Sequence, residues 1–323
     1  MTEAGLWHPV AALEEFGAAP LAARLLERDL VLWRDAGGGL HAWADRCPHR
    51  GTRLSMGHVT DGRLECAYHG WQFDSAGQCV AIPALPDFTP PASHKACVHA
   101  MRTAFGLVWV QLETSDEQTP AIENVPERQV ICGPFDVATS APRIVENFLD
   151  TAHFGFVHEG GLGDRAHTRV PHYEVELGPG GAPSVPHYRA WQPKGAATAE
   201  GGAWVDYRYE VLGPYSAVLI KQADVGAGAK PAPREAYALW VCPVAPEQSR
   251  VWFTQFTSDT ATSDATLRAF QTGIFTQDRP IIESQRPRRL PLGAGAELHC
   301  AADRLSVAYR RYLSKRGIEF GVC

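Results

Sequence analysis

The sequence lacks the features that mark a membrane protein, a nucleic-acid-binding protein or an exported protein. No apolar run approaches the ~20 residues that span a bilayer, so no membrane partner is expected. Basic residues number 30 against 36 acidic ones, a formal charge of −6, whereas phosphate binding requires clustered Lys and Arg. The N-terminus shows no basic region followed by an apolar segment, which predicts no signal peptide and a cytoplasmic location.

Cysteine is also sparse. Eight cysteines in 323 residues are too few for a disulfide scaffold. Cys47 and Cys66 stand out because a histidine follows each of them closely. The other six have no metal-ligand spacing to one another and are interpreted as core or surface thiols. These six are Cys79, Cys97, Cys132, Cys242, Cys300 and Cys323.

The remaining composition is that of a globular protein with a large core, because 45% of the residues are hydrophobic and 20% are charged. The length favours two domains. A polar, proline-containing segment at residues 113–126 predicts a linker, and we place the boundary at residue 115. The expected domains are therefore residues 1–115 and residues 116–323.

The first third of the chain has the pattern of short strands and turns. Residues 30–34 and 40–44 are apolar runs separated by a glycine-rich turn at residues 35–39, which predicts a β-hairpin. Regularly spaced short strands of this kind are typical of a small all-β barrel or sandwich. Further strands are predicted at residues 63–66, 70–73, 79–82 and 106–112.

The rest of the chain mixes helices with strands, so the predicted class is α+β. Helices are predicted at residues 142–157, 264–285 and 303–316, with Ser263 as an N-cap, Pro280 as a kink and Gly317 as a C-terminal stop. Strands are predicted at residues 173–177, 204–212, 217–221, 236–241 and 250–258. Glycine- and proline-rich loops are predicted at residues 178–183 and 226–233.

Four residues form a metal-binding pattern, C-x-H followed after 16 residues by C-x-x-H. They are Cys47, His49, Cys66 and His69. Two thiolates and two imidazoles fit a structural zinc site. They also fit a Rieske [2Fe–2S] cluster, with both cysteines on one iron and both histidines on the other. The C-x-H spacing, a glycine close behind each histidine, and the neighbouring Tyr68 and Trp71 favour the cluster.

A second pattern places His153 and His158 five residues apart, with Asp150 one helical turn before His153. In a regular helix the two imidazoles diverge by ~140°, so both reach one metal only if the helix is distorted, for which Gly155 is well placed. Two imidazoles and one carboxylate form the facial triad of Fe(II) oxygenases. The carboxylate must come from elsewhere in the chain, and spacing alone does not identify it.

The two patterns together resemble the Rieske non-heme iron oxygenases. The resemblance rests on residues 47–51 and 66–71 and on the Asp-x-x-His-x₄-His block at residues 150–158, and residues 7–11 look like the usual opening of the family. Residues 158–165, 303–311 and 321–323 are similar to the branch that hydroxylates saxitoxin-type alkaloids. The wider branch contains vanillate O-demethylase and toluenesulfonate methyl-monooxygenase.

The resemblance implies roles for individual residues. Asp278 on a C-terminal helix is the third iron ligand, with Glu283 as the local alternative. Asp150 bridges two centres by accepting hydrogen bonds from His153 and from the cluster ligand His69 of a neighbouring subunit. Asn147 either assists near the iron or is an ordinary helix-surface residue. The implied fold is an all-β Rieske domain followed by a helix-grip catalytic domain, an antiparallel sheet covered by helices.

The implied activity is monooxygenation of a small organic substrate, by C–H hydroxylation or oxidative demethylation. It requires O₂ and electrons from NAD(P)H, delivered by a separate reductase or ferredoxin, and the expected assembly is a homotrimer. The alternatives are an aromatic-ring dihydroxylating dioxygenase, a Rieske electron-transfer protein without oxygenase activity and a zinc-binding interaction module. The substrate is not predicted, because its pocket depends on how loops such as residues 162–170 and 226–233 fold.

Overall fold

The structure is a computed structural model that describes residues 2–194, 201–224 and 233–323. The chain divides into two compact units, Glu3–Thr119 and Pro120–Cys323. Apart from Pro233, the loop predicted at residues 226–233 lies outside the described residues. Within the described ranges, no helix is both long and apolar enough to cross a membrane.

The first unit is built from short antiparallel strands in three small sheets, with the strand orders β1-β10-β9, β2-β3-β4 and β5-β6-β7-β8. The strands are β1 (His8–Ala12), β2 (Leu21–Leu25), β3 (Arg28–Arg34), β4 (Leu40–Ala44), β5 (His58–Thr60), β6 (Arg63–Glu65), β7 (Gln72–Phe73), β8 (Cys79–Ala81), β9 (Ala100–Ala104) and β10 (Leu107–Gln111). This arrangement confirms the predicted all-β N-terminal domain.

The core of the first unit lies directly under the first metal-binding pattern. Strands β3 and β4 pair in register from Leu30 opposite Ala44, which confirms the predicted hairpin. The hairpin places Trp33 and Trp43 in a buried cluster that also contains Cys47 and Cys66. Burial of these indoles anchors the loops that carry the cysteines, because each large aromatic side chain removes ~150–250 Å² from water.

The second unit contains one seven-stranded antiparallel sheet with helices packed on it. The strand order is β11-β17-β16-β15-β14-β13-β12. The strands are β11 (Arg128–Val137), β12 (Glu176–Leu177), β13 (Pro183–Gln192), β14 (Ala203–Gly213), β15 (Ser216–Ala223), β16 (Glu235–Ala245) and β17 (Gln248–Thr257). The α-helices are α1 (Ala141–Leu149), α2 (Phe154–Val157), α3 (Asp264–Ser284) and α4 (Arg304–Lys315).

Helices α1 and α3 position the candidate site because both contact the sheet. Helix α1 packs on β15 and β16, α3 packs on β11, and the two helices contact each other. Strands β15, β16 and β17 are almost entirely buried, as expected for a sheet that forms the floor of the domain. A helix-covered antiparallel sheet confirms the predicted class of the second domain.

Two sheet predictions need correction. Strands β11 and β13, ten residues each, are absent from the sequence-based assignment, because prolines at positions 134, 183 and 186 weaken the strand pattern there. The structure accommodates prolines at strand ends and irregular pairings, where fewer ladder hydrogen bonds are lost. The strand predicted at residues 173–177 is reduced to Glu176–Leu177.

One helix prediction is also wrong. The helix predicted at residues 142–157 breaks into α1 and α2, because Asp150 adopts an extended conformation (φ −79°, ψ 129°) and its carboxylate accepts a hydrogen bond from the Ala152 N–H. Pro280 does not interrupt α3, which is continuous through it. Phe275 and Ile282 are buried on either side of the proline, and their packing holds the helix together where one hydrogen bond is missing.

Candidate metal centres

Two loops of the first unit present the C-x-H and C-x-x-H residues in the same way. The carbonyl of Cys47 accepts from the Gly51 N–H at 2.9 Å, and the carbonyl of Cys66 accepts from the Gly70 N–H at 3.0 Å. A second hydrogen bond closes each loop. The Cys47 N–H donates to the Thr52 carbonyl, and the Cys66 N–H donates to the Trp71 carbonyl. The two ligand pairs are therefore held by equivalent tight turns.

The histidines of these loops lie next to each other at the edge of the cysteine-containing core. The ring centroids of His49 and His69 are 4.6 Å apart, and both cysteines are 2% exposed. His49 stacks on Trp71 with centroids 4.4 Å apart and planes within 3°, and Trp71 stacks in turn on His94. Buried thiols with adjacent, more accessible imidazoles are the donor set of a Rieske cluster.

The surroundings of the Cys47 sulfur both oppose and assist its conversion to a metal-binding thiolate. Burial and the adjacent Cys66 thiol raise the pKa of Cys47 to about 11, although the His49 and Arg50 backbone N–H groups favour the thiolate. Iron binding must displace this proton, because the thiolate is the ligand. The same N–H groups are well placed to stabilise the negative sulfur once it has formed.

We expect Gly70→Ala to weaken cluster binding. Gly70 has φ +69°, which costs an L-residue ~1–2 kcal/mol, and an added Cβ would lie 3.0 Å from Pro83 Cγ. The rate at which a chelator bleaches the visible absorbance of the full chain should rise by about 5- to 30-fold. Gly17→Ala is the matched control, because nothing lies within 4 Å of its added Cβ; equal bleaching rates for the two variants would contradict the expectation.

The second pattern assembles around one point in the second unit. His153, His158 and Asp278 each place one ligand atom within 4.8 Å of the others. His153 Nε2 is 3.2 Å from His158 Nε2, and Asp278 Oδ1 lies 3.4 Å and 3.2 Å from these two nitrogens. Donors bound at right angles to one ion at ~2.1 Å are ~3 Å apart, so the triangle fits a single metal ion.

Contacts behind the imidazoles orient them. His158 Nδ1 lies 2.8 Å from Gln277 Oε1, and an N–H at Nδ1 leaves Nε2 as the ligand atom. His153 Nδ1 faces Asp150 Oδ2 at 3.4 Å in the same way. The break between α1 and α2, rather than the distortion expected at Gly155, brings the two rings together. Asp150 and His153 are therefore in contact although they do not share one helix.

Electrostatics at this point favour a cation. Burial lowers the pKa of His153, but hydrogen bonds to Asp150 and Asp278 outweigh it and raise the pKa to about 9. Burial disfavours the charged form of Asp278, but hydrogen bonds to both histidines hold its pKa below the usual value. Two buried atoms of the trio, His153 Nδ1 and Asp278 Oδ1, lie 3.2–3.4 Å from their polar neighbours without forming a well-aligned hydrogen bond. A divalent ion would satisfy the Asp278 oxygen, so the donor set fits a facial-triad iron site.

Glu283, the alternative to Asp278 as the third iron ligand, has its partners outside the donor triangle. One oxygen of Glu283 accepts from the Ala138 N–H at 2.9 Å and pairs with Arg279 at 3.1 Å. Glu283 therefore holds the segment between β11 and α1 through its hydrogen bond from the Ala138 N–H. Asn147, in contrast, lies on the wall of the cavity that contains the triad.

A cavity opens beside the triad. Its walls come from α1, α2 and α3 and from the helix-covered face of the sheet. Most of its lining is aromatic or aliphatic, and that part comprises Ile144, Phe148, Phe154, Leu162, Tyr207, Leu219, Tyr237, Leu239, Phe253, Phe270, Ile274 and Phe275. Such a lining suits a small, largely apolar molecule and limits the access of water to the donor triangle.

Family comparisons agree with both halves of this architecture. Residues 6–102 match the model of the Rieske [2Fe-2S] domain, and residues 137–317 match that of the vanillate O-demethylase oxygenase C-terminal domain. The chain belongs to the Rieske non-heme iron oxygenases of the vanillate O-demethylase type. It uses a [2Fe–2S] cluster, mononuclear Fe(II) and NAD(P)H-derived electrons from a separate reductase, and it monooxygenates a small organic substrate.

The chain is similar to three proteins of Pseudomonas putida. Methylxanthine N1-demethylase NdmA of Pseudomonas putida is 31% identical over 95% of this chain and 87% of its own. Methylxanthine N3-demethylase NdmB of the same organism is 33% identical with the same coverage. The structure of NdmA with caffeine has a TM-score of 0.82 at 28% identity, covering 97% of this chain and 90% of that one. Oxidoreductase NdmD of P. putida is 38% identical over 33% of this chain and 18% of its own.

The sequence alone did not indicate the roles of several residues in and around the two sites. Gln277, next to Asp278, contacts and orients His158, and no spacing rule marks it. His94 has no motif of its own but extends the ring stack of His49 and Trp71. Lys221 was assigned only to a strand, yet it lines the cavity. Each of these contacts joins elements that are distant in sequence or lacks a motif of its own.

Proposed function

We propose that this enzyme removes a methyl group from a nitrogen atom of a small, flat heterocycle. The observation that carries the proposal is the similarity to N-demethylases over nearly the whole chain. The aromatic lining of the cavity supports it, because phenylalanine rings such as Phe148 and Phe253 stack against a planar ring system. The cavity also brings its contents close to His153 and Asp278.

We propose roles for the site residues accordingly. Cys47, His49, Cys66 and His69 bind the [2Fe–2S] cluster, supported by the equivalent turns that carry them. His153, His158 and Asp278 bind the iron, supported by the donor triangle. When bound, this iron supplies activation of O₂ at coordination positions that the triad leaves open.

The protein groups in this mechanism bind, orient and exclude water. Asp278 compensates the charge of the metal, Gln277 holds the His158 tautomer, and the phenylalanines keep the N-methyl group directed at the triad. The overall reaction is R₂N–CH₃ + O₂ + NAD(P)H + H⁺ → R₂NH + HCHO + H₂O + NAD(P)⁺. Oxygen enters one methyl C–H bond, and the resulting N-hydroxymethyl group loses formaldehyde as the C–N bond breaks.

Assembly and electron delivery complete the proposal. A homotrimer would bring His69 of one protomer to Asp150 of the next; the side chain of Asp150 is 34% exposed in the single chain and so has room for a second partner. We assign residues 1–115 to the Rieske domain and residues 116–323 to the catalytic domain. A cytoplasmic location is supported by the described cysteines, none of which forms a disulfide, as suits a reducing compartment.

The direct test is stoichiometric turnover of caffeine by the iron- and cluster-loaded enzyme with a heterologous NAD(P)H-dependent Rieske reductase. We expect one formaldehyde per NAD(P)H and per O₂ consumed, together with a singly demethylated xanthine. An accumulating ring diol or C-hydroxylated xanthine without formaldehyde would contradict N-demethylation. NAD(P)H and O₂ consumption without any product would show that caffeine is not a substrate of this pocket.

A further inference from the structure

The apolar cavity has a charged wall that the chemistry at the iron does not require. Lys221 lies on β15 and lines the cavity, and its Nζ is 3.4 Å from Glu235 Oε2 on β16. Both side chains are only 5% exposed. Among the described cavity-lining residues, Lys221 is the only lysine or arginine. A buried ion pair of this kind costs desolvation free energy and is weak support for stability alone.

The sheet register places Lys221 and Glu235 side by side on the face of the sheet that borders the cavity. Lys221 is opposite Tyr207 on one side and Glu235 on the other, and cross-strand partners project from the same face. Tyr207 and Tyr237 line the cavity as well. Gln255 extends the network, since its amide donates to Tyr237 at 3.0 Å and to Glu235 at 3.3 Å. The polar groups thus form one connected cluster at the cavity wall.

The cluster lies at the end of the cavity away from the iron ligands. Lys221 Nζ is 6.0 Å from the ring centroid of Phe270 on α3, whereas Asp278 lies eight residues further along the same helix. At 1.5 Å per residue, eight residues correspond to ~12 Å along the helix axis. A substrate whose methyl group lies at the triad therefore extends its opposite edge toward Lys221.

We propose that Lys221 is the specificity-determining residue of the cavity and that it binds a neutral ring carbonyl on the substrate edge opposite the reacting N-methyl group. An ammonium has three N–H donors, so it can bond Glu235 and a substrate oxygen together. Glu235 neutralises the ammonium, and a substrate carboxylate would add an unbalanced negative charge in a dry pocket. The cluster therefore selects a neutral lactam or imide over an aryl carboxylate. This inference rests on the proposed N-demethylation, whose substrate class it specifies.

The test compares caffeine, a neutral N-methylated ring dicarbonyl, with vanillate, an aryl carboxylate, as ligands of the metal-loaded enzyme without O₂. Calorimetric titration should give the wild type a Kd for caffeine at least about 10-fold below that for vanillate. Lys221→Met combined with Glu235→Gln removes both charges together and should weaken caffeine binding by about 10- to 100-fold. Glu235→Gln alone leaves the lysine charge uncompensated and should shift the preference toward vanillate by about 10-fold.

A purely structural role for the pair predicts different results. It predicts a lower Tm and lower kcat in the double variant with an unchanged Kd, whereas a specificity role predicts a raised KM with intact iron, cluster and fold. Wild-type affinity for caffeine in the double variant, tighter wild-type binding of vanillate, or no wild-type binding of either ligand would overturn the proposal. If the Lys221 variant releases formaldehyde from caffeine as the wild type does, this inference would be contradicted but N-demethylation would not. If caffeine and vanillate bind as expected but no formaldehyde is released, N-demethylation would be contradicted and the role of Lys221 in binding would stand.

Discussion

Replacing Asp278 with alanine should remove the mononuclear iron and leave the cluster in place. The wild-type chain should contain about three irons and two acid-labile sulfides, and the variant about two irons and two sulfides. The physical reason is that Asp278 Oδ1 closes the donor triangle at 3.2 and 3.4 Å from the two imidazoles. Two histidines alone hold Fe(II) weakly, so substrate turnover should fall to background.

Glu283→Gln is the matched control for this prediction. Glu283 is the other carboxylate near Asp278 on α3, and its glutamine variant still offers an oxygen to the Ala138 N–H. Iron content should remain at about three per chain in this variant. Loss of the third iron from Glu283→Gln but not from Asp278→Ala would reverse the ligand assignment. The visible spectrum of the cluster, measured on the same samples, reports whether the chain has folded.

Local chemistry explains why the Rieske loops were predictable from the sequence. Their ligands lie two or three residues apart, and Gly51 and Gly70 mark the positive-φ turns that orient them. A short loop has few conformations compatible with those constraints, so residue spacing predicts geometry. The alternation of the strands and the N-cap at Ser263 are similarly local, and the structure confirms the hairpin and the start of α3.

Predicting the iron site required more than spacing. Asp278 is 120 residues from His158, so only the family resemblance, not a periodicity, connected them. The break at Asp150 depends on a side-chain hydrogen bond that competes with the helical pattern of the surrounding residues. Lys221 and Glu235 meet through strand register across a loop that lies partly outside the described residues. Such contacts follow from tertiary packing, and single-sequence patterns do not contain them.

Asp150 is a carboxylate that contacts a proposed iron ligand without binding the iron itself, and its substitution should also have a large effect. We expect Asp150→Asn to leave iron, sulfide and fold unchanged while turnover falls by about 100-fold. The carboxylate holds the His153 ring through Nδ1, and in the proposed trimer it also accepts a hydrogen bond from the cluster ligand His69. An amide matches the shape of the carboxylate but loses its charge and one acceptor, so electron transfer from cluster to iron should slow by the same factor.

Cluster reoxidation distinguishes this role from a packing defect. The enzyme is reduced without oxygen, mixed with O₂ and substrate, and the return of the oxidised cluster absorbance is followed. It should be about 100-fold slower in Asp150→Asn than in the wild type. Asp164→Asn is the control, because Asp164 accepts a backbone N–H two residues on, as Asp150 does, yet contacts no proposed iron ligand. Normal reoxidation in Asp150→Asn would exclude the bridge, whereas slow reoxidation in both variants would trace the effect to the turn and not to the charge.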